Sequence, residues 1–283
     1  MRAFFRRKSL RLCLYLCLAL TILAAALDSR LAVRRYTVRD ARFSAPVRLL
    51  LITDLHACRY GSDQQTLLRA IEQAAPDLIL LGGDFFDDRL PSALAETLLA
   101  ALQGRWPCWY VTGNHEYWSG QADHFLQLLR DYGVEALQGE SCVLTFHGQT
   151  FNLCGIDDPE ALRYAEGAQP VSEQLQQAAR IRANGNYTIL LAHRPELVDA
   201  YAANGFDLVL SGHAHGGQWR LPGLLNGLYA PDQGIFPKYA GGRYTVGQTT
   251  LIVSRGLARE TTVIPRIFNR PELVIVDLLP AEA

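Results

Sequence analysis

The chain has 283 residues, of which 49% are hydrophobic and 19% are charged. This composition excludes a disordered or collagen-like protein. With 27 basic and 28 acidic residues, the charge balance argues against a protein that binds nucleic acid mainly by electrostatics. A chain of this length buries about three quarters of its extended-chain surface, so it needs no disulfide framework to support a core.

The N-terminal segment is basic and then apolar. Residues 1–11 contain four arginines and one lysine but no acidic residue, and an apolar stretch follows over residues 12–27. This order is typical of a targeting or anchoring segment. We predict a single-pass signal-anchor over residues 1–27 that contacts the cell membrane through residues 9–27 and leaves the rest of the chain extracytoplasmic. The alternatives are a signal peptide cleaved after Ala26, which would export the protein, and a buried helix.

Further along the chain, apolar strands alternate with amphipathic helices, which predicts a mainly parallel α/β fold. Residues 28–45 are predicted to be a juxtamembrane segment, and residues 46–280 are predicted to form one domain. The predicted strands are residues 47–53, 78–81, 108–111, 187–192, 208–210, 251–254 and 273–278. The predicted helices are residues 62–75, 93–103, 122–132, 172–183 and 195–203.

The six cysteines include no C-x-x-C pair, which argues against a structural zinc site of that kind. Residues 142–146 and 150–154 are predicted to form a hairpin with a three-residue loop between them. Such a loop would place Cys142 opposite Cys154, near disulfide distance. Strand cysteines are more often reduced packing residues, so whether these two form a disulfide stays open.

Metal-capable side chains follow five of the predicted strands. In α/β sheets the carboxyl ends of the strands converge on one crevice, so these residues are expected to lie together. One structural histidine is unremarkable, but five at successive strand ends, with two aspartates and an asparagine, predict a metal site. The set is Asp54, His56, Asp84, Asn114, His115, His193, His213 and His215.

Carboxylate, amide and imidazole ligands without thiolate suit Mn, Fe or Zn ions, and the set is large enough for two divalent metal ions. One ion would take Asp54, His56 and His215. The other would take Asn114, His193 and His213. Asp84 would bridge them, because a carboxylate has two oxygens that accept. Two ions of this kind clamp an in-line phosphoryl displacement.

These strand-end motifs resemble the five-block signature of the calcineurin-like metallophosphoesterases. The resemblance covers residues 50–216, and the extended motifs at residues 190–196, 212–218, 253–257 and 270–272 are similar to a bacterial YkuE/YaeI-like subgroup. It implies a four-layer α/β/β/α sandwich, here preceded by the N-terminal hydrophobic anchor helix. The blocks are Asp54-Leu-His56, Gly83-Asp84-Phe-Phe-Asp87, Gly113-Asn114-His115-Glu116, His193 and Gly212-His213-Ala-His215.

The resemblance also implies roles for residues around the metals. His115 would be catalytic rather than a ligand, and would protonate the leaving oxygen or stabilise the transition state. Asp87 and Glu116 would orient metal ligands, the alternative being ordinary loop carboxylates. Three arginines near the motifs are candidates to hold a substrate phosphate, the alternative being solvated surface side chains. They are Arg59, Arg194 and Arg255.

The predicted function is a dinuclear-metal-dependent phosphoesterase that hydrolyses phosphodiester or phosphomonoester bonds by attack of a metal-bridging hydroxide. One alternative is a membrane-associated pyrophosphatase that acts on lipid-linked nucleotides of the UDP-diacylglucosamine type. An alternative of another class is a non-catalytic metal-binding scaffold on the same fold. The Gly- and aromatic-rich residues 222–239 are a candidate specificity loop. No nucleic-acid partner is expected, and the oligomeric state stays open.

Overall fold

The computed structural model describes residues 2–259 and 265–282. Within these ranges the predicted helices are present, and several of them are continued by a short 3₁₀ turn, such as Ser62–Gln64 before α2 and Arg180–Asn184 after α7. The α-helices are α1 (Arg2–Ala26), α2 (Gln65–Ala74), α3 (Ala93–Leu102), α4 (Asn114–Trp118), α5 (Ala122–Asp131), α6 (Ala161–Tyr164), α7 (Val171–Ala179) and α8 (Val198–Ala203).

Most strands form two six-stranded sheets, and one pair forms a separate small ribbon. The strands are β1 (Ala32–Asp40), β2 (Val47–Ile52), β3 (Leu78–Gly82), β4 (Cys108–Val111), β5 (Val134–Ala136), β6 (Ser141–Phe146), β7 (Gln149–Gly155), β8 (Thr188–Leu191), β9 (Leu208–Ser211), β10 (Tyr229–Ala230), β11 (Gly234–Ile235), β12 (Gly242–Val246), β13 (Thr249–Val253) and β14 (Glu272–Pro280).

Both sheets have a parallel centre. In the first sheet, with the order β1-β14-β2-β3-β4-β5, strands β2 to β5 are parallel and β14 runs antiparallel to β2. In the second sheet, with the order β12-β13-β9-β8-β7-β6, strands β13, β9, β8 and β7 are parallel, and antiparallel strands close both edges. The mixed α/β fold with parallel sheets agrees with the prediction.

Alternate side chains of each central strand enter different parts of the core. On β2, Leu49 and Leu51 lie between the two sheets, whereas Leu50 and Ile52 pack with helical residues on the outer face. A third hydrophobic cluster covers the outer face of the second sheet and includes Tyr201 of α8. Helices and sheets are therefore stacked in the order α/β/β/α. Burial on both faces explains why these strands are continuous apolar runs in the sequence.

The hairpin of β6 and β7 differs from the prediction in its loop. The turn contains only His147 and Gly148, with φ angles of 52° and 77°, which suits the twist of a two-residue hairpin. The shorter loop pairs Ser141 with Cys154, and Cys142 with Leu153. Cys142 therefore packs towards the space between the sheets and Cys154 towards the outer cluster. Both are free thiols, because neighbouring strand positions face opposite sides.

The N-terminal segment forms the helix α1, whose end is held against the domain. The backbone N–H of Phe268 donates to the carbonyl of Ala26 at 2.7 Å. Across the part of the chain that the structure describes, no helix is both long and apolar enough to cross a membrane. The predicted anchor helix over residues 1–27 is therefore not confirmed. The predicted juxtamembrane residues 28–45 include β1, which pairs with β14 along its whole length.

Candidate metal centre

Five residues of the predicted metal set have strained backbone conformations. Each has a positive φ between 46° and 66°, although none is glycine. Such conformations cost about 1–3 kcal/mol each and tend to concentrate at functional sites. In every case the residue follows the end of a parallel strand, where the chain turns sharply and points a polar side chain into the crevice. The five are Asp54, His56, Asp84, His213 and His215.

Glycine at position 83 lets two of these loops approach each other. Gly83 has a φ of +87°, a conformation that favours glycine, and a Cβ there would lie 2.5 Å from Nδ1 of His193. Any larger side chain would displace His193 from the turn that carries Asp84. The glycine of this motif therefore serves the packing of strand ends from the two sheets.

The first cluster of metal-capable groups contains Asp54, His56, Asp84 and His215, with one atom from each lying within 4.8 Å of the others. All four side chains are buried. Nε2 of His56 lies 3.7 Å from Oδ2 of Asp84, and Nε2 of His215 lies 3.9 Å from Oδ1 of Asp54. The backbone N–H of His213 donates to Oδ1 of Asp54 at 2.8 Å, so this aspartate also joins the two sheets.

The second cluster contains Asp84, His193 and His213, again within 4.8 Å. Nε2 of His193 lies 3.1 Å from Oδ2 of Asp84. The buried Asn114 begins α4 directly behind β4. Among the described residues, Asp84 is the member that the two clusters share, so it could contact a cation in either of them. His213 also joins Glu196 and Asp232 in a third, more exposed group.

Each predicted ligand leaves one buried atom without a hydrogen-bond partner among the described residues. An unsatisfied buried polar group costs about 1–3 kcal/mol, so a crevice that contains these seven atoms favours a bound group. Asp84 Oδ2 and His193 Nε2 lie 3.1 Å apart and compensate each other only while the imidazole carries a second proton. All seven carry lone pairs, which is the donor set that a cation requires. The atoms are Asp54 Oδ2, His56 Nε2, Asp84 Oδ2, Asn114 Oδ1, His193 Nε2, His213 Nδ1 and His215 Nδ1.

The electrostatics of the clusters is dominated by Asp84. Burial raises the pKa of Asp84, but the neighbouring His193 outweighs burial and holds that pKa well below its usual range. Burial lowers the pKa of His193, and the charge of Asp84 more than compensates and raises it to about 10. Burial, with His56 and Arg266 nearby, holds the pKa of His215 well below its ordinary value. Without a cation, the crevice therefore retains a proton on His193.

The two carboxylates predicted to orient ligands, Asp87 and Glu116, contact the loops that carry those ligands. Oδ2 of Asp87 lies 3.0 Å from Nδ1 of His56 and leaves Nε2 facing Asp84. Glu116 is fully buried, and Oε2 accepts the backbone N–H groups of Gly113 and Asp84 at 2.7 and 3.1 Å. Burial and the charge of Asp84 raise the pKa of Glu116 to about 7. Glu116 thus fixes the two loops that present Asp84 and Asn114.

His115 lies at the rim of the site. Its side chain is 21% exposed, and Nδ1 lies 2.7 Å from Oδ1 of Asp88. Its ring contacts that of His56 edge to face, with centroids 4.4 Å apart. Trp118 lies 5.0 Å from the His115 ring on the exposed side. Asp88 was not singled out from the sequence, although its place directly after Asp87 was a usable signal.

The three candidate arginines have different surroundings. Arg194 is buried, and Nε and Nη2 donate to the two carboxylate oxygens of Asp158 at 2.5 and 2.9 Å. Its Nη1 contacts Asp232 and lies 3.1 Å from Nε2 of His213. Arg194 is therefore engaged with Asp158, Asp232 and His213, and each of its three guanidinium nitrogens already has a partner.

The other two candidates contact residues outside the clusters. Nε of Arg255 lies 3.2 Å from Oε2 of the buried Glu272. Arg59 is exposed, and its carbonyl accepts a hydrogen bond from Nη1 of Arg259 at 3.2 Å. Asp158 and Asp232 had no sequence signal, because each reaches the site only through tertiary contacts. Asp232 lies within residues 222–239, which places the middle of this loop beside the second cluster.

Comparison with known proteins shows which family model and which proteins this chain resembles. Residues 47–217 match the family model described as calcineurin-like phosphoesterase. The chain is 27% identical to the uncharacterized protein YpbG of Bacillus subtilis, with coverage of 92% of this chain and 91% of that one. It is 28% identical to phosphodiesterase YaeI of Escherichia coli, with coverage of 83% of each chain.

Two further matches extend the comparison. A transmembrane protein with metallophosphoesterase domain from Danio rerio is 31% identical, with coverage of 83% of this chain and 54% of that one. Among solved structures, the NAD nucleotidase NadN of Haemophilus influenzae superposes with a TM-score of 0.53 at 16% identity, covering 76% of this chain and 46% of that one. The similarity to NadN is a similarity of fold.

Proposed function

Since this chain belongs to the calcineurin-like phosphoesterase family and is a metal-dependent hydrolase of phosphoric esters, we propose that it cleaves phosphodiester bonds, and phosphomonoesters more slowly, with two divalent cations. The observation that carries this proposal is the set of seven unpartnered lone-pair atoms described above. The relative named phosphodiesterase YaeI supports the choice of diesters. Mn, Fe and Zn all suit the ligand types.

The proposed ligands follow the two clusters. Asp54, His56 and His215 would hold one cation, and Asn114, His193 and His213 the other, with Asp84 shared. When bound, the two cations would supply a nucleophile at neutral pH and neutralise charge on the phosphoryl group. Asp87 contacts Nδ1 of His56, and the carbonyl of Gly82 lies 2.8 Å from Nδ1 of His193. Each contact fixes the ring so that Nε2 would be the atom that holds a cation.

His115 is proposed to protonate the leaving oxygen. Its Nδ1 is occupied by Asp88, so Nε2 is the atom that would carry the proton to the substrate. The Asp88 carboxylate contacts Nδ1 and fixes the ring orientation, as an acid beside a catalytic histidine does. Trp118 beside His115 would form one wall of the leaving-group side.

A second candidate is a membrane-associated pyrophosphatase acting on lipid-linked nucleotides. The support is α1, where Leu14, Tyr15 and Leu20 are 61–68% exposed although they are apolar. Such exposure is typical of a surface that meets another apolar phase. In this proposal α1 lies in the cell membrane and the domain is extracytoplasmic, with release by signal cleavage as the alternative.

The experiment compares three substrates with the full chain after metal depletion and reloading with Mn²⁺ or Zn²⁺. We expect bis-p-nitrophenyl phosphate to be hydrolysed faster than p-nitrophenyl phosphate, and only in the reloaded protein. Faster turnover of UDP-diacylglucosamine than of either would favour the second candidate. Absence of turnover on all three, with two bound ions, would instead identify a non-catalytic metal-binding scaffold and contradict the proposal.

A further inference from the structure

A second polar cavity lies outside the metal clusters. It has a volume of about 390 Å³, and its polar lining comes from Arg34, Arg220, Arg255 and Asn226. Its apolar lining comes from residues 221–225 and Phe268. No residue of the three metal-capable groups around Asp84 and His213 lines it. We refer to these lining residues as the arginine pocket.

The arginine pocket has more positive than negative charge. The buried Glu272 forms the ion pairs of this pocket that the described residues show, with Oε2 3.2 Å from Nε of Arg255 and 3.9 Å from Nε of Arg34. The contacts of Arg220 with described residues are neutral: the carbonyl of Gly216 at 3.2 Å and the side chain of Asn226. Three guanidinium groups thus line the pocket, and none of the described lining residues is acidic.

The like charges in the pocket affect one another. Burial lowers the pKa of Arg220, and the charge of Arg255 lowers it further, to about 10. Among the described residues Arg220 has two hydrogen-bond partners and no ion pair, and the charge of Glu272 offsets only part of the effect of burial and Arg255. A bound anion would offset the rest. Planar guanidinium groups match the oxygen geometry of phosphate better than lysine does.

Apolar side chains flank the mouth of the arginine pocket. Leu224 is 88% exposed and Leu221 is 49% exposed. Phe268, in the pocket wall, is bonded through its backbone to the end of α1 at Ala26. The exposed apolar surface of α1 thus begins next to a cationic cavity, an arrangement that suits a phosphate group carried on an apolar body.

We propose that the arginine pocket binds the phosphate group of an anion, at a site separate from the metal centre. The phosphate could belong to an anionic phospholipid head group or to a soluble phosphate compound, because both present the same oxygens to Arg34, Arg220 and Arg255. The flanking leucines and α1 favour the lipid. This inference does not depend on the reaction at the metal centre.

The test uses the full-length, metal-loaded protein and two variants of the pocket. Arg34→Gln removes a half-exposed guanidinium, and the double variant adds Arg220→Gln. Arg69→Gln is the matched control, because Arg69 is exposed on α2 on the far side of the first sheet. Arg255 is left intact because it is also a candidate to hold a substrate phosphate at the metal centre. If the double variant does not fold, Arg34→Gln alone decides the question.

Two kinds of probe distinguish the phosphate sources. Lipid binding is measured as the fraction of protein bound to vesicles of phosphatidylcholine and phosphatidylglycerol, compared with the fraction bound to vesicles of phosphatidylcholine alone. Titration with inorganic phosphate or glycerol 3-phosphate reports soluble phosphate, and the metal centre contributes equally in all variants.

For vesicles, one arginine near an anionic surface contributes a factor of roughly five. We expect vesicle binding to fall about fivefold in Arg34→Gln and about 25-fold in the double variant, with less than a twofold change in Arg69→Gln. A loss confined to the soluble probes would support the pocket with a soluble ligand. If neither probe distinguishes the pocket variants from Arg69→Gln, the proposal is wrong.

Discussion

Two groups of charged side chains in this molecule lack enough partners, and they differ in sign. At the strand ends the atoms without partners are lone-pair acceptors, such as Asp84 Oδ2 and Asn114 Oδ1, as far as the described residues show. In the arginine pocket Glu272 pairs with Arg34 and Arg255, and Arg220 forms no ion pair with a described carboxylate. The comparison shows that the polar groups which a fold leaves without partners indicate the charge of the ligand that a site binds.

The backbone separates the two regions as well. The strand-end turns place five metal-capable residues in strained conformations, whereas Arg34, Arg220 and Arg255 lie in ordinary backbone. Strain of this kind persists only where the surrounding structure imposes it. The metal centre is therefore the more rigidly built of the two, and substitutions there are expected to have the larger effects.

The largest effect is expected for Asp84→Asn. This change removes the one negative charge shared by both clusters and keeps the side chain's shape. Each cation supplies several kcal/mol of stabilisation to the transition state, so turnover is expected to fall by about 10³-fold or more. Elemental analysis should show fewer than two ions per chain. Two full sites with unchanged turnover would show that Asp84 is not shared.

His115→Ala is expected to have a smaller effect that depends on the leaving group. General acid catalysis typically contributes ~10²–10⁴-fold. A nitrophenolate leaves without a proton, so its release should slow less than tenfold, whereas an alkyl leaving group should slow by about 10²-fold or more. The measurement is kcat for matched nitrophenyl and alkyl diesters. Equal slowing of both would assign His115 to stabilising phosphoryl charge, and loss of metal would make it a ligand.

Asp87→Asn and Asp88→Asn form a matched pair of neighbours. Asp87 contacts His56 in the first cluster, whereas Asp88 contacts His115 at the rim. Loss of a carboxylate behind a ligand histidine usually weakens metal affinity 10- to 100-fold. We expect that loss for Asp87→Asn only, whereas Asp88→Asn should keep its metals and reduce turnover of alkyl diesters. Equal metal affinity in the two variants would contradict the division of roles.

The smallest expected effect is proton release on metal binding. The charge of Asp84 outweighs burial and raises the pKa of His193 to about 10 in the metal-free protein, so at pH 8 its imidazole carries a proton. Coordination requires the neutral ring, and about one proton should therefore be released from His193. The release should disappear as the pH rises through 10. Titration calorimetry of Mn²⁺ binding in buffers of different ionisation enthalpy measures it.

The parts of the fold predicted best are those whose burial is uniform. The centres of β2, β3, β4, β8 and β9 lie in sheets that are covered on both sides, so their apolar runs stand out in the sequence. The edge strand β1 was missed. Its residues Ala32–Asp40 carry four charges on a largely exposed strand, and it pairs with β14, which lies more than 230 residues away in the chain.

The residues of the candidate site also divide into those that the sequence predicted well and those that it did not. The seven proposed ligands were identified because each follows a strand end in a short motif. Asp158 and Asp232 support Arg194 and His213 through tertiary contacts that no local pattern encodes, whereas Asp88, which supports His115, directly follows Asp87 and could have been found. The shift of one residue in the β6–β7 hairpin arose because a two-residue turn was expected to hold three. Register depends on turn geometry, which composition specifies only weakly.

The central claim is that the seven unpartnered atoms hold two cations that share Asp84. Anomalous diffraction from crystals of the Mn²⁺-loaded protein tests it most directly. We predict two peaks per chain, one next to Asp54, His56 and His215 and one next to Asn114, His193 and His213, with Asp84 touching both. A single peak, or a peak between Glu196, His213 and Asp232, would contradict the account.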